Sequence, residues 1–150
     1  MLVYLLTFTE GVLSTNSENN FKDWKRVFLK YCDGTGHQGT RTNPIEYKGT
    51  KLYFRGHNIT VAQLDSLEKH HKLFSEATHV VVGGFSAGGL AAFTWVNYIK
   101  ERVKIGKVWG MPDSGIFLDS TNVTSGQNDY KKSFKNLVAL VNTEISNPMA

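Results

Sequence analysis

The chain has 150 residues, of which 41% are hydrophobic and 20% charged, with a formal charge of +4. That is enough for one globular domain with a buried core and no more. The basic residues are scattered: Lys100, Arg102, Lys104 and Lys107 come closest to a cluster, but Glu101 interrupts them, so they read as a solvated helix end rather than a nucleic-acid surface.

Met1 to Phe8 is apolar but short, with neither a basic leader region nor a small-residue cleavage site. It is expected to form a buried strand or a truncated helix. No stretch approaches the length of a membrane-spanning helix. Residues 14 to 20 form a polar loop. Arg26 to Tyr31 reads as a strand, and Cys32 to Gly49, rich in Gly, Thr, Asn and Asp, as a loop. Cys32 is the single cysteine, which excludes an internal disulfide framework and a cysteine-based zinc site. Leu52 to Phe54 is a brief strand closed by Arg55-Gly56.

Thr60 with Gln63 three residues on has the form of a capping box, and predicts a helix start. Val61, Leu64, Leu67, His71 and Phe74 continue it at helical spacing. His79 to Gly83 is a β-branched run suited to a strand buried on both faces. The turn Gly84 to Gly89 leads into a second helix, to about Arg102. Lys107 to Met111 reads as another buried strand. From about Asn128, residues Tyr130, Phe134, Leu137, Val138 and Val141 predict an amphipathic helix. Two glycosylation acceptor triplets occur, Asn58-Ile59-Thr60 and Asn122-Val123-Thr124. The alternation of strands and helices implies an α/β fold, a parallel sheet with flanking helices whose site lies at the carboxyl ends of the strands.

Ser86, in Gly84-Phe85-Ser86-Ala87-Gly88, stands just past one such end. A serine hydroxyl is a weak nucleophile and must be exposed to a base and a substrate together. A sharp strand-to-helix turn achieves this, provided its neighbours are small. Gly83, Gly84, Ala87, Gly88 and Gly89 meet that need, which is the context of a nucleophile elbow. The N–H of Ala87, at the helix start, is the expected oxyanion donor. The competing readings are a tight turn with an incidental serine, or a phosphate-binding glycine turn. A dinucleotide fold fits worse, because the glycines lack its spacing and the turn is not the first.

Acyl transfer also needs a base and an orienting acid. His37, His57, His70, His71 and His79 all precede Ser86, and none follows. His70, His71 and His79 fit packing or surface roles, while His37 and His57 sit in predicted loops from which either could reach a site as the base. Asp113, at the end of the next strand, is placed to be polar at the site, or else is a turn residue in Pro112-Asp113-Ser114-Gly115. No His/Asp/Glu cluster has metal-ligand spacing, so no metal or organic cofactor is expected.

Several segments together resemble the pectinacetylesterase family, which includes the Notum carboxylesterases. They are Trp24 to Gly34, Leu52-Tyr53-Phe54-Arg55-Gly56, Gly84 to Ala92, and Asp113-Ser114-Gly115-Ile116-Phe117-Leu118-Asp119. The resemblance spans about residues 11 to 120 and implies a secreted, extracellular serine carboxylesterase of α/β-hydrolase-like fold. The plant-like branch removes acetyl groups from pectin; the Notum branch removes a fatty acyl group from a signalling protein. Leu52 to Gly56 looks more like the plant-like branch. By this match Ser86 is the nucleophile, Phe117 lines the acyl pocket, and Asp113 lies near it without being the triad acid.

The family's Gly-Gly-Trp-type oxyanion segment lies upstream of the Trp24 block and has no counterpart before residue 11. Its triad Asp and His lie beyond Ala150. Residues 1 to 150 therefore look like a partial domain: an incomplete sheet with exposed edges, monomeric, and inactive alone. The implied substrate is an acetylated polysaccharide or another acyl ester. The alternative is a non-catalytic remnant or a carbohydrate-binding piece of the same fold.

Overall fold

A computed structural model describes residues 2–4 and 11–141. Four parallel strands form one sheet in the order β2 (Arg26–Phe28), β1 (Leu2–Tyr4), β5 (His79–Phe85) and β6 (Lys107–Asp113). The hairpin β3 (Ile45–Tyr47) and β4 (Thr50–Leu52) stands apart from it. The helices are α1 (Gly56–His71), α2 (Ala87–Arg102) and α3 (Asp129–Val141). This is the α/β architecture that the alternating pattern implied. The N-terminal run supplies an inner strand, between β2 and β5.

The core lies on one face of the sheet. Val80 and Val82 of β5 meet Leu64 of α1 and Ala91, Ala92, Trp95 and Ile99 of α2, all at most 3% exposed. Burying each large aliphatic side chain contributes about 1.5 to 3 kcal/mol, so this layer fixes how α2 is seated. At the amino-terminal end of the strands an aromatic row crosses the sheet: His79 stacks on Trp109 at 5.5 Å and Trp24 lies 6.2 Å from His79. Among the described strands, β2 and β6 are edges, and Phe28 and Trp109 are exposed on them; β6 is therefore not the buried strand its apolar run suggests, because no described strand covers its outer side.

Several local expectations are corrected. The capping box does not form. The helix starts earlier, with Arg55 as its N-cap and no side-chain cap. Thr60 is instead buried and shares a 2.8 Å hydrogen bond with Nδ1 of His37. Gln63 reaches back to Lys30, accepting from its N–H at 2.9 Å. That second bond ends β2 at Phe28, three residues short of the expected Tyr31, because a side chain replaces a neighbouring strand as partner. Phe74 is in the core but lies beyond the αL cap at Lys72, outside the helix. The stretch expected to be loop up to Gly49 contains β3, and the next strand is Thr50–Leu52. Lys48 and Gly49, with φ of 48° and 75°, form the tight two-residue turn that joins them. Finally, β5 runs to Phe85, because its ladder with β6 continues to Phe85 opposite Asp113.

Candidate active site

Ser86 is the single residue between β5 and α2. Its backbone has φ 55° and ψ −115°, a region that side chains seldom enter and that costs about 1 to 3 kcal/mol. The surroundings over-determine it. The Ser86 N–H donates to the carbonyl of Asp113 at 2.9 Å, and the Ser86 carbonyl accepts from Leu90 N–H at 3.0 Å. The side chain does not cap the helix, so its hydroxyl is not spent on the backbone. Ser86 is half-buried.

The glycines act by absence. A Cβ on Gly84 would lie 2.3 Å from the carbonyl oxygen of Gly88, so only a bare α-carbon lets the start of α2 fold back over the strand end. A Cβ on Gly115 would lie 2.3 Å from the carbonyl carbon of Gly89, which brings the segment after β6 against the first turn of α2. Ala87 opens α2, where first-turn N–H groups have no helical acceptor.

Asp113 is exposed, and its carboxylate accepts from the Ser114 hydroxyl at 2.9 Å. The fold thus brings Ser86, Ala87 and Asp113 together at the carboxyl ends of β5 and β6. Phe117 lies further along. It is half-buried, with Tyr130 and Phe134 of α3 at 5.7 and 5.5 Å. These rings line a cavity of about 460 Å³ together with Leu118, Val138 and the charged Asp119, Lys131 and Lys135. Ser86 is not among the residues lining it.

None of the five histidines hydrogen-bonds to Ser86. His79 begins β5, at the far end of the strand. His70 and His71 are exposed in the last turn of α1. His57 packs near Trp95 at 5.0 Å. His37 is 2% exposed and stacks on Tyr31; its Nε2 has no hydrogen-bond partner among the described residues. Burial holds the His37 pKa below its ordinary value, with the nearby Asp33 charge partly opposing. Burial also raises the Tyr31 phenol above its ordinary value.

Sequence reasoning passed over Asp33 as a role-bearing residue. Its carboxylate accepts from the Thr35 N–H and hydroxyl and from the Gly56 N–H, all while buried. It thereby ties the loop after β2 to the start of α1. That loop rests on α2: a Cβ on Gly36 would touch Leu90, and Gln38 donates to the Thr94 hydroxyl at 2.5 Å. The signal was Asp33-Gly34-Thr35, an acid two residues before a hydroxyl in a glycine-rich turn. Among the described residues no group of three or more His, Cys, Asp or Glu side chains is placed to hold a metal ion, and no helix is long and apolar enough to cross a membrane.

The sequence model of the family described as Pectinacetylesterase matches residues 5–150. Pectin acetylesterase 5 of Arabidopsis thaliana is 36% identical over 118 residues, covering 76% of this chain and 27% of that protein. Palmitoleoyl-protein carboxylesterase NOTUM of Schmidtea mediterranea is 33% identical over 119 residues, covering 73% of this chain and 21% of that protein. Among solved structures, the Wnt deacylase Notum from Drosophila superposes with a TM-score of 0.70 at 22% identity, over 83% of this chain and 37% of that one. This likeness shows a shared fold. The chain spans about a quarter of the length of the curated relatives it matches.

Proposed function

The chain belongs to the pectinacetylesterase family, and on that premise we propose that it carries the nucleophile of a serine carboxylesterase acting on acetylated pectin-like polysaccharide. The observation that carries the proposal is Ser86, held at φ 55° on the turn from β5 to α2 with its hydroxyl unspent as a cap.

The Ser86 oxygen attacks the ester carbonyl. The developing oxyanion meets the backbone N–H of Ala87, at the positive end of α2, which stabilises it more in the transition state than in the ground state. Loss of the alcohol leaves an acyl group on Ser86, and water then releases it as the free acid. The histidine base and its carboxylate partner come from the part of the protein that the relatives possess and this chain does not span. The motivation is that no described histidine reaches Ser86. On this reading the 150 residues alone are inactive. Phe117 with the α3 rings forms the apolar wall for the acyl group, and Asp113 borders it as a polar neighbour. The protein works outside the cell, where its polymer substrate lies.

The absence of a described histidine at Ser86 favours a second reading, a non-catalytic piece that binds carbohydrate. One experiment separates the two: acetate release from acetylated pectin by the full-length protein containing this chain. The Ser86→Ala variant should lose about a thousandfold or more in kcat. Activity retained in Ser86→Ala, or a full-length protein with no esterase activity, favours the second reading.

A further inference from the structure

Neither acceptor triplet for N-linked glycosylation has a part in acyl transfer, and the fold treats the two differently. Asn58-Ile59-Thr60 lies in the first turns of α1. Its backbone is helical, and Thr60 is 0% exposed with its hydroxyl bonded to His37. Asn122-Val123-Thr124 lies in a loop where every residue from 118 to 127 is exposed, Val123 completely so. There the Asn122 side-chain carbonyl accepts from the backbone N–H of Thr124 at 2.8 Å and of Ser125 at 3.2 Å. This local turn brings the asparagine side chain and Thr124 together without help from distant parts of the chain. One Nδ2 hydrogen goes to Asp129 at 3.0 Å, and the other is open to substitution. The loop is closed by the Gly126 N–H on the Asn122 carbonyl and the Asn122 N–H on the Gln127 carbonyl, both 2.8 Å.

We propose that Asn122, and not Asn58, is an N-linked glycan acceptor in this protein. Transfer to the folded chain needs an amide nitrogen and a hydroxyl two residues on, both accessible on non-helical backbone. The loop at Asn122 meets all three requirements. At Asn58 the amide is exposed, but the backbone is helical and the hydroxyl is sealed in the core. The reaction takes its glycan from a lipid-diphosphate-linked oligosaccharide. The bond from the anomeric carbon to the diphosphate oxygen breaks, the bond from that carbon to Nδ2 forms, the lipid diphosphate leaves, and Nδ2 gives up one proton. The glycan would stand beside the start of α3, to which Asn122 is tied through Asp129.

The proposal rests on the extracellular reading only for the protein's natural encounter with the transferase. The test supplies that encounter separately, so a failure leaves the esterase reading untouched. The chain is expressed in a eukaryotic cell behind a cleavable secretion leader. The leader-cleaved product is taken from medium and cells together, so that retention hides nothing, and its mass is read before and after enzymatic deglycosylation. The expected result is one glycan, with aspartate at position 122 after its removal. Asn122→Gln and Thr124→Ala should each abolish it, and Asn58→Gln and Thr60→Ala should leave it in place. An unmodified leader-cleaved chain, a glycan that survives Asn122→Gln, or a second glycan on Asn58 would overturn the proposal.

Discussion

The backbone N–H of Ser86 donates to the carbonyl of Asp113 across 2.9 Å. This bond continues the β5–β6 ladder one residue past its last pair, Phe85 with Asp113. The candidate nucleophile is therefore fixed from the neighbouring strand as well as by its own helix. Its strained dihedrals are held by the sheet and not by the side chain.

That strain predicts a stability difference. At φ 55° and ψ −115° a glycine is at ease and any other residue is not. Ser86→Ala should keep the strain, whereas Ser86→Gly should relieve it. The glycine variant should exceed the alanine variant by about 1 kcal/mol in unfolding free energy. Paired denaturant titrations check this; equal stabilities would mean the turn relaxes in solution.

The close approaches predict intolerance of single methyl groups. Gly84→Ala, Gly89→Ala and Gly115→Ala would each place a Cβ within 2.4 Å of backbone. Backbone cannot rotate away as a side chain does, so each should cost about 2 to 3 kcal/mol. Gly110→Ala is the control, because its nearest neighbour would be a Val96 methyl at 3.5 Å. Thermal melts of the four variants should separate three from one.

His37 predicts a pH dependence. Burial lowers its folded-state pKa, so the unfolded chain takes up a proton that the folded chain resists. Stability from this group is fully present above the ordinary histidine pKa. It falls as the pH drops below that value and levels off once the pH has passed the folded pKa. The groups facing the ring are the stacked Tyr31 phenol, the Asp33 carboxylate and the Thr60 hydroxyl. Melting temperatures from pH 7.5 to pH 5 should fall more steeply for the native chain than for His37→Gln. Parallel slopes would show that other groups carry the acid sensitivity.

Asp33 predicts a loop-specific loss. Asp33→Ala leaves the Gly56 N–H and the Thr35 groups without their acceptor inside the protein, which costs about 1 to 3 kcal/mol for each unsatisfied group. Amide exchange should quicken first in residues 33–39 and in the opening turn of α1. Exchange unchanged there would show that the loop is held by its packing on α2 alone.

The parts of the fold legible in the sequence are those that short-range physics dictates. The apolar β-branched run at His79 to Gly83, the small residues around Ser86 and the helical spacing in α1 and α3 each report their own environment. The misreadings come from side chains whose partners are distant in sequence. Thr60 and Gln63 have the spacing of a cap, yet one serves His37 and the other Lys30, 23 and 33 residues away. Nothing local records that preference. The β3–β4 hairpin was hidden because its strands are short and exposed, so no apolar alternation marks them. Within the candidate site, Ser86 stands out in the sequence because a sharp turn demands small neighbours. Asp33 was passed over because its carboxylate answers backbone donors, which leave no trace in residue type.

The central claim is that Ser86 is the acyl-accepting nucleophile. The most direct test is to treat the full-length protein containing this chain with a fluorophosphonate and to locate the adduct by peptide mass spectrometry. A single adduct on the peptide bearing Ser86, with loss of esterase activity in step with labelling, is the predicted result. Labelling at another serine, or full activity with Ser86 unlabelled, would contradict it.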